Sequence, residues 1–165
     1  ALGLQMTIRL LLIEGVPGSG KTTTAKEPCR LFVSNGVSAN WYLEEASEHP
    51  VHPRSLTNLS DTPEFPERCL KRWDLFVDRS QKGDEMQIME GSAFQSTVRF
   101  MMQNDMNGIE EYFSKFVDVI KPLAPALIYL RPNDVIENSR YISDLRGSEW
   151  STKVSEGETS TPIFH

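Results

Sequence analysis

Residues 8–23 read IRLLLIEGVPGSGKTT, and the fold turns on how this stretch is understood. TIRLLLIE, residues 7–14, is a short and nearly continuous apolar run of the kind a buried parallel strand gives. Directly after it, Gly15, Gly20, Lys21 and Thr22 fall in the spacing G-x-x-x-x-G-K-[ST], the signature of a phosphate-binding loop. With glycine at about 7 % of ordinary sequences, chance yields such a match in roughly one chain in a few hundred of this length. The glycines let successive amides point into one concavity, and the helix that follows adds partial positive charge there. Gly15, Gly18, Ser19, Gly20, Lys21, Thr22 and Thr23 are therefore the expected contacts of a nucleoside triphosphate. Lys21 would reach the β- and γ-phosphates, and the Thr22 hydroxyl would hold Mg²⁺.

Outward from the loop, GKTTTAKEPCRLFVSNG (residues 20–36) reads as a helix closing at Asn35 and Gly36. A kink or break is expected at Pro28, because proline removes a backbone donor and clashes with the preceding turn. SANWYL (38–43) reads as a second strand, and the polar, proline-rich residues 44–67 as a long loop of the sort that often carries function. Helical spacing returns through Leu70, Trp73 and Val77, and MQIME (86–90) is a third strand. Ile109, Tyr112, Phe113, Phe116, Val117 and Ile120 form one amphipathic stripe, closed by Pro122 and Pro125. ALIYL (126–130) and NDVIENSRYISDL (133–145) supply a fourth strand and another helix. Strands alternating with helices imply an α/β fold in three layers, a parallel sheet covered by helices on both faces.

The 165 residues, 39 % hydrophobic and 24 % charged, suit one domain with one sizeable core. That domain is expected over residues 6–150. Ala1–Gln5 reads as a leader ahead of Met6, and residues 151–165 as a polar tail or the start of a missing C-terminal segment. A net charge of −6 and a pI near 5.1 argue against sequence-independent nucleic-acid binding. No apolar run reaches the length of a membrane span. Cys29 and Cys69 lack the spacing of a zinc site or a disulfide framework, which fits a cytoplasmic setting. Glu90, ending MQIME, is the expected second acid at the metal, with Glu14 as the alternative. His49 and His52 are spaced as a metal pair only on a helix, and Pro50 and Pro53 make a loop pair the better reading. Trp41, Trp73 and Phe76 are read as core, and Arg72 and Arg99 as candidate cations for an acceptor.

Three stretches, LLLIEGVPGSGKTT, WYLEEASEHP and ALIYLRPNDVIENSRYISDLRGSEW, occur in the order found in small-molecule kinases with this loop. Together they resemble the thymidylate kinase and deoxynucleoside kinase superfamily over most of the chain. The resemblance implies a P-loop NTPase fold, ATP and Mg²⁺, and a kinase that transfers the γ-phosphoryl group to a small molecule. It also implies lid arginines at Arg140 and Arg146, and a general base at Glu45 in the LEE after the second strand. Thymidylate kinases place an arginine for the acceptor's phosphate where this chain has Glu44, and a carboxylate there would repel a phosphorylated acceptor. The acceptor is thus expected to be a neutral hydroxyl compound, of which a nucleoside-like one is an example. Members of that group usually carry an arginine just after the third-strand acid, where this chain has Gly91, and a fifth strand after the lid. The alternatives are a nucleotide monophosphate kinase, and an ATP-binding regulatory or hydrolytic protein with no small acceptor. A homodimer is compatible with either class.

Overall fold

Strand β1 (Leu10–Gly15) runs through the middle of the molecule, and its alternating side chains build two cores. The computed structural model describes residues 8–44, 46, 48–51, 64–149 and 151–152. Within them the sheet has four strands, all parallel, in the order β2-β3-β1-β4. β2 is Ala39–Tyr42, β3 Met86–Glu90 and β4 Ala126–Leu130. Ile13 lies opposite Glu90 on one side and Ile128 on the other, so the strands end along one edge. Parallel neighbours cannot be joined by tight hairpins, and helices α1 (Lys21–Ser34), α2 (Phe65–Ser80) and α4 (Ile109–Ile120) lie in the crossovers.

Leu10 and Leu12 join the core on one face, with Met89, with Trp73, Phe76 and Val77 of α2, and with Tyr112, Phe116 and Ile120 of α4. Leu11 and Ile13 join the core on the other face, with Ile88 and with Ala25, Cys29 and Phe32 of α1. The strand's period of two thus sends neighbouring residues into different layers. The parallel α/β sheet flanked by helices is as the sequence pattern predicts, and Trp73 and Phe76 are core residues.

Three local features differ from the sequence expectations or add to them. Helix α1 is unbroken for 14 residues with Pro28 inside it. The proline withdraws only the donor for the Thr24 carbonyl, and Ala25, Cys29 and Phe32 hold the helix to the sheet on both sides of it. Residues after β3, which carry no clear periodicity, form a π-helical turn over Phe94–Val98 running into the short helix α3 (Arg99–Gln103). Among the described residues strand β4 is an edge with little cover, and Tyr129 is 56 % exposed.

Helix α5 (Val135–Arg146) follows, its first turn capped by Asp134, whose carboxylate accepts from the Glu137 amide at 2.9 Å. Among the described residues no helix is long and apolar enough to cross a membrane. The leader Ala1–Gln5, Met6, Glu45, His52, Trp150 and residues 153–165 lie outside the described residues.

Candidate functional site

The carboxyl ends of β1 and β3, side by side, carry Glu14 and Glu90, and the loop from Val16 to Gly20 arches over them into α1. Helix α5 supports this loop from outside. Asn138 Nδ2 donates to the Pro17 carbonyl at 3.1 Å, and the Ile142 side chain lies where a β-carbon on Gly18 would stand. Gly18 also has φ of +77°, so both its backbone and its surroundings require glycine.

Lys21, in the first turn of α1, is folded back into the loop. Its Nζ donates to the carbonyls of Gly15 at 2.9 Å and Val16 at 3.2 Å. Burial lowers the Lys21 pKa, and the charges of Glu44, Glu14 and Glu90 work against that shift. Arg146, at the end of α5, is close enough to add to the lowering. One lysine thus stands among three carboxylates and a guanidinium.

The next residue, Thr22, donates its hydroxyl to Glu90 Oε1 at 2.7 Å. The Trp41 indole N–H donates to the other carboxylate oxygen at 3.2 Å, and Lys26 Nζ sits 5.5 Å from the centre of the Trp41 ring. Glu90 is buried with both oxygens engaged, which is how a carboxylate is kept in a sheet interior. The Thr22–Glu90 pair presents a hydroxyl and a carboxylate oxygen together, the hard oxygen donors that suit a divalent cation. Among the described residues there is no group of three or more His, Cys, Asp or Glu placed to hold a metal by themselves, so such a cation would complete its shell with water and phosphate oxygens.

Glu14 is engaged elsewhere. The Ala93 amide donates to its Oε1 at 2.8 Å, with weaker help from the amides of Phe94 and Gln95. Its Oε2 has no hydrogen-bond partner among the described residues, and burial pushes its pKa up to about 7. Thr22 is therefore paired with Glu90, and Glu14 fastens the end of β1 to the turn after β3.

Glu44 follows β2, and its carboxylate lies where a β-carbon on Gly91 would stand. The side-chain oxygen of Gln95 approaches the same spot, and with φ of +63° Gly91 has neither room nor conformation for a side chain. An arginine just after Glu90 would displace Glu44.

Of the residues singled out from sequence, Gly15, Gly18, Ser19, Gly20, Lys21, Thr22, Glu90 and Arg146 are brought together, with Glu14 behind them. Thr23 and Arg140 are exposed. Glu45 lies outside the described residues, and the adjacent Glu44 is the acid seen facing Lys21. Trp41, expected in the core, packs against the core on the α1 side and also reaches Glu90, while sequence reasoning gives Gln95 no role. The signal for both contacts is tertiary, since they are made to β3 and the turn that follows it.

No protein-family model matches the chain, and no curated protein sequence does. Among solved structures it is similar to the crystal structure of APE1195, with a TM-score of 0.56 and 18 % identity, covering 93 % of this chain and 77 % of that one. At this identity the likeness concerns the fold alone.

Proposed function

We propose that the chain is an ATP-dependent kinase of a small hydroxyl-bearing molecule, built on a P-loop NTPase fold. The observation that carries this reading is the meeting of Lys21, Thr22, Glu90 and Glu44 at the carboxyl end of β1 and β3, from three separate stretches of sequence. A cation, a hydroxyl–carboxylate pair and a facing acid are the parts phosphoryl transfer needs, since its catalysis is mainly positioning and charge neutralisation.

In this reading the glycines of the loop cradle the triphosphate, and Lys21 exchanges the Gly15 and Val16 carbonyls for β- and γ-phosphate oxygens. A polyphosphate there would work against the lowering that burial causes, because the buried ammonium would gain an opposite charge. Thr22 and Glu90 would hold Mg²⁺, which would supply positive charge against the phosphate oxygens. Arg146 approaches the transferring group from α5, with Arg140 one turn and a half behind it on the same helix. The turn after β2 supplies the base that takes the acceptor's hydroxyl proton. The family likeness assigns that role to Glu45, and Glu44 beside it sets the charge an acceptor meets. A second carboxylate in that place disfavours anionic acceptors, so a neutral polyol or nucleoside-like compound fits better than a phosphorylated one. The enzyme is read as cytoplasmic, without nucleic-acid or membrane partners, and compatible with a homodimer.

The test is ADP release from Mg·ATP by the wild type and by Lys21→Ala, alone and with a panel of nucleosides, nucleotides, amino sugars and small alcohols. Stimulation by one neutral acceptor in the wild type alone is expected. ATP binding with no stimulation by any acceptor would favour a regulatory or hydrolytic role.

A further inference from the structure

The turn that carries Glu44 is fastened to the end of β3 by a line of buried polar groups that the phosphate site does not use. His49 is 2 % exposed and Ser92 is fully buried. The Val51 amide donates to His49 Nδ1 at 3.2 Å, so in the neutral ring the proton belongs on Nε2. Nε2 lies 3.0 Å from Ser92 Oγ. The Ser92 hydroxyl donates in turn to the Glu90 carbonyl at 2.9 Å. The donors and acceptors follow one direction without conflict, from Val51 N–H through His49 N–H and Ser92 O–H to the main chain of Glu90.

Apolar packing holds the imidazole in this line. Tyr42, the last residue of β2, meets it edge-on with ring centres 5.9 Å apart, and Tyr42 is itself tied by its hydroxyl to Gln87 of β3 at 3.0 Å. On the outer side the Arg72 guanidinium donates to the Pro50 carbonyl at 3.4 Å. A serine beside a histidine could be a nucleophile and its base, but this pair has the opposite arrangement. With Nδ1 accepting from Val51, a neutral ring carries its proton on Nε2 and cannot take the serine's there, the hydroxyl is spent on a carbonyl, and Ser92 is out of solvent reach.

We infer that His49 is a positioning residue, acting through Ser92 to fix the Glu44-bearing turn against the Thr22–Glu90 pair. The line ends at the backbone of Glu90, and the residue after Ser92 is Ala93, whose amide holds Glu14. Loss of the line would free the acid-bearing turn relative to the metal-side acid while leaving the phosphate loop and α1 intact. The kinetic part of this inference rests on the proposed kinase reading, and the structural part does not.

The variants that test it are His49→Leu, His49→Gln and Ser92→Ala. Glutamine can still offer a side-chain N–H to Ser92 Oγ, and leucine fills space without one. Nitrogen-15 NMR of the imidazoles in the wild-type chain should find His49 as the neutral Nε2–H tautomer, and the Nδ1–H tautomer would overturn the inference. Amide hydrogen exchange at Val51 and Ala93 should quicken about tenfold in His49→Leu and Ser92→Ala, the loss of one buried hydrogen bond, and stay within about twofold of wild type in His49→Gln. Equal exchange in the leucine and glutamine variants would show that packing, not the hydrogen-bonded line, holds the turn. For ADP release from Mg·ATP, kcat should fall about tenfold in His49→Leu with KM for Mg·ATP within about twofold of wild type. A matching rise in KM would assign His49 to the fold as a whole and overturn the positioning role. If the wild type released no ADP, the kinase reading would fall, and the tautomer and exchange results would still decide the positioning.

Discussion

Strands β3 and β4 both pair with β1 in parallel, yet the more polar of the two is the one buried. All five residues of MQIME are buried, while the middle three of ALIYL are exposed. Hydropathy alone would order them the other way. The polar side chains of β3 are tolerated inside because each has partners. Gln87 accepts from the Tyr42 hydroxyl at 3.0 Å, and Glu90 from Thr22 and Trp41. β4 has β1 on one side and no strand on the other among the described residues, and its apolar side chains find little to cover them. The chemistry gathers on the β3 side, where enclosure makes charges interact strongly, and the β4 side contributes chiefly through α5, which props the loop.

Truncation is the sharpest way to break this contrast. Ile88→Ala, in a fully buried place between α1 and the sheet, should cost about 4 kcal/mol in urea denaturation, and Ile128→Ala on β4 less than about 1 kcal/mol. Similar losses at the two positions would mean that β4 is covered in solution.

The pH dependence of stability comes next. Burial raises the Glu14 carboxyl from 4.5 to about 7, so the folded chain keeps a proton that the unfolded chain has given up. The stability tied to that proton is complete below the unfolded value and is lost as pH rises through about 7, a change of about 3 kcal/mol. Urea melts at pH 5 and pH 8 should show wild type losing stability on this scale and Glu14→Gln losing much less. An equal loss in both would place the titration elsewhere.

On the β4 side the expected effects are smaller. Asp134→Ala removes the cap of α5 and should cost about 1 kcal/mol, seen as faster amide exchange in the first turn of that helix. Leu145→Ser, exposed near the end of α5, should change thermal stability by less than about 0.5 kcal/mol.

The contrast also marks what could be read from the chain beforehand. β1, the glycine turn and α1 are legible because strand, loop and helix follow one another within residues 7–36, and local pattern suffices. The other strands and the long helices are legible from period. The site is legible only where its residues sit at element ends, as Lys21, Thr22 and Glu90 do. Glu44 against Gly91 and His49 against Ser92 join residues more than forty positions apart, and no periodicity signals such a contact. Pro28 shows the converse, a strong local signal outweighed by packing on both sides of it.

The central claim is that Lys21, Thr22 and Glu90 form a site for Mg²⁺ and a nucleoside triphosphate. Calorimetric titration of Mg·ATP into wild type and Lys21→Ala addresses it directly. Saturable binding by wild type, weakened about a hundredfold or more in the variant, is the expected result, since a buried cation facing polyphosphate is replaced by a methyl group. Binding that is absent from the wild type, or equal in the two proteins, would contradict it.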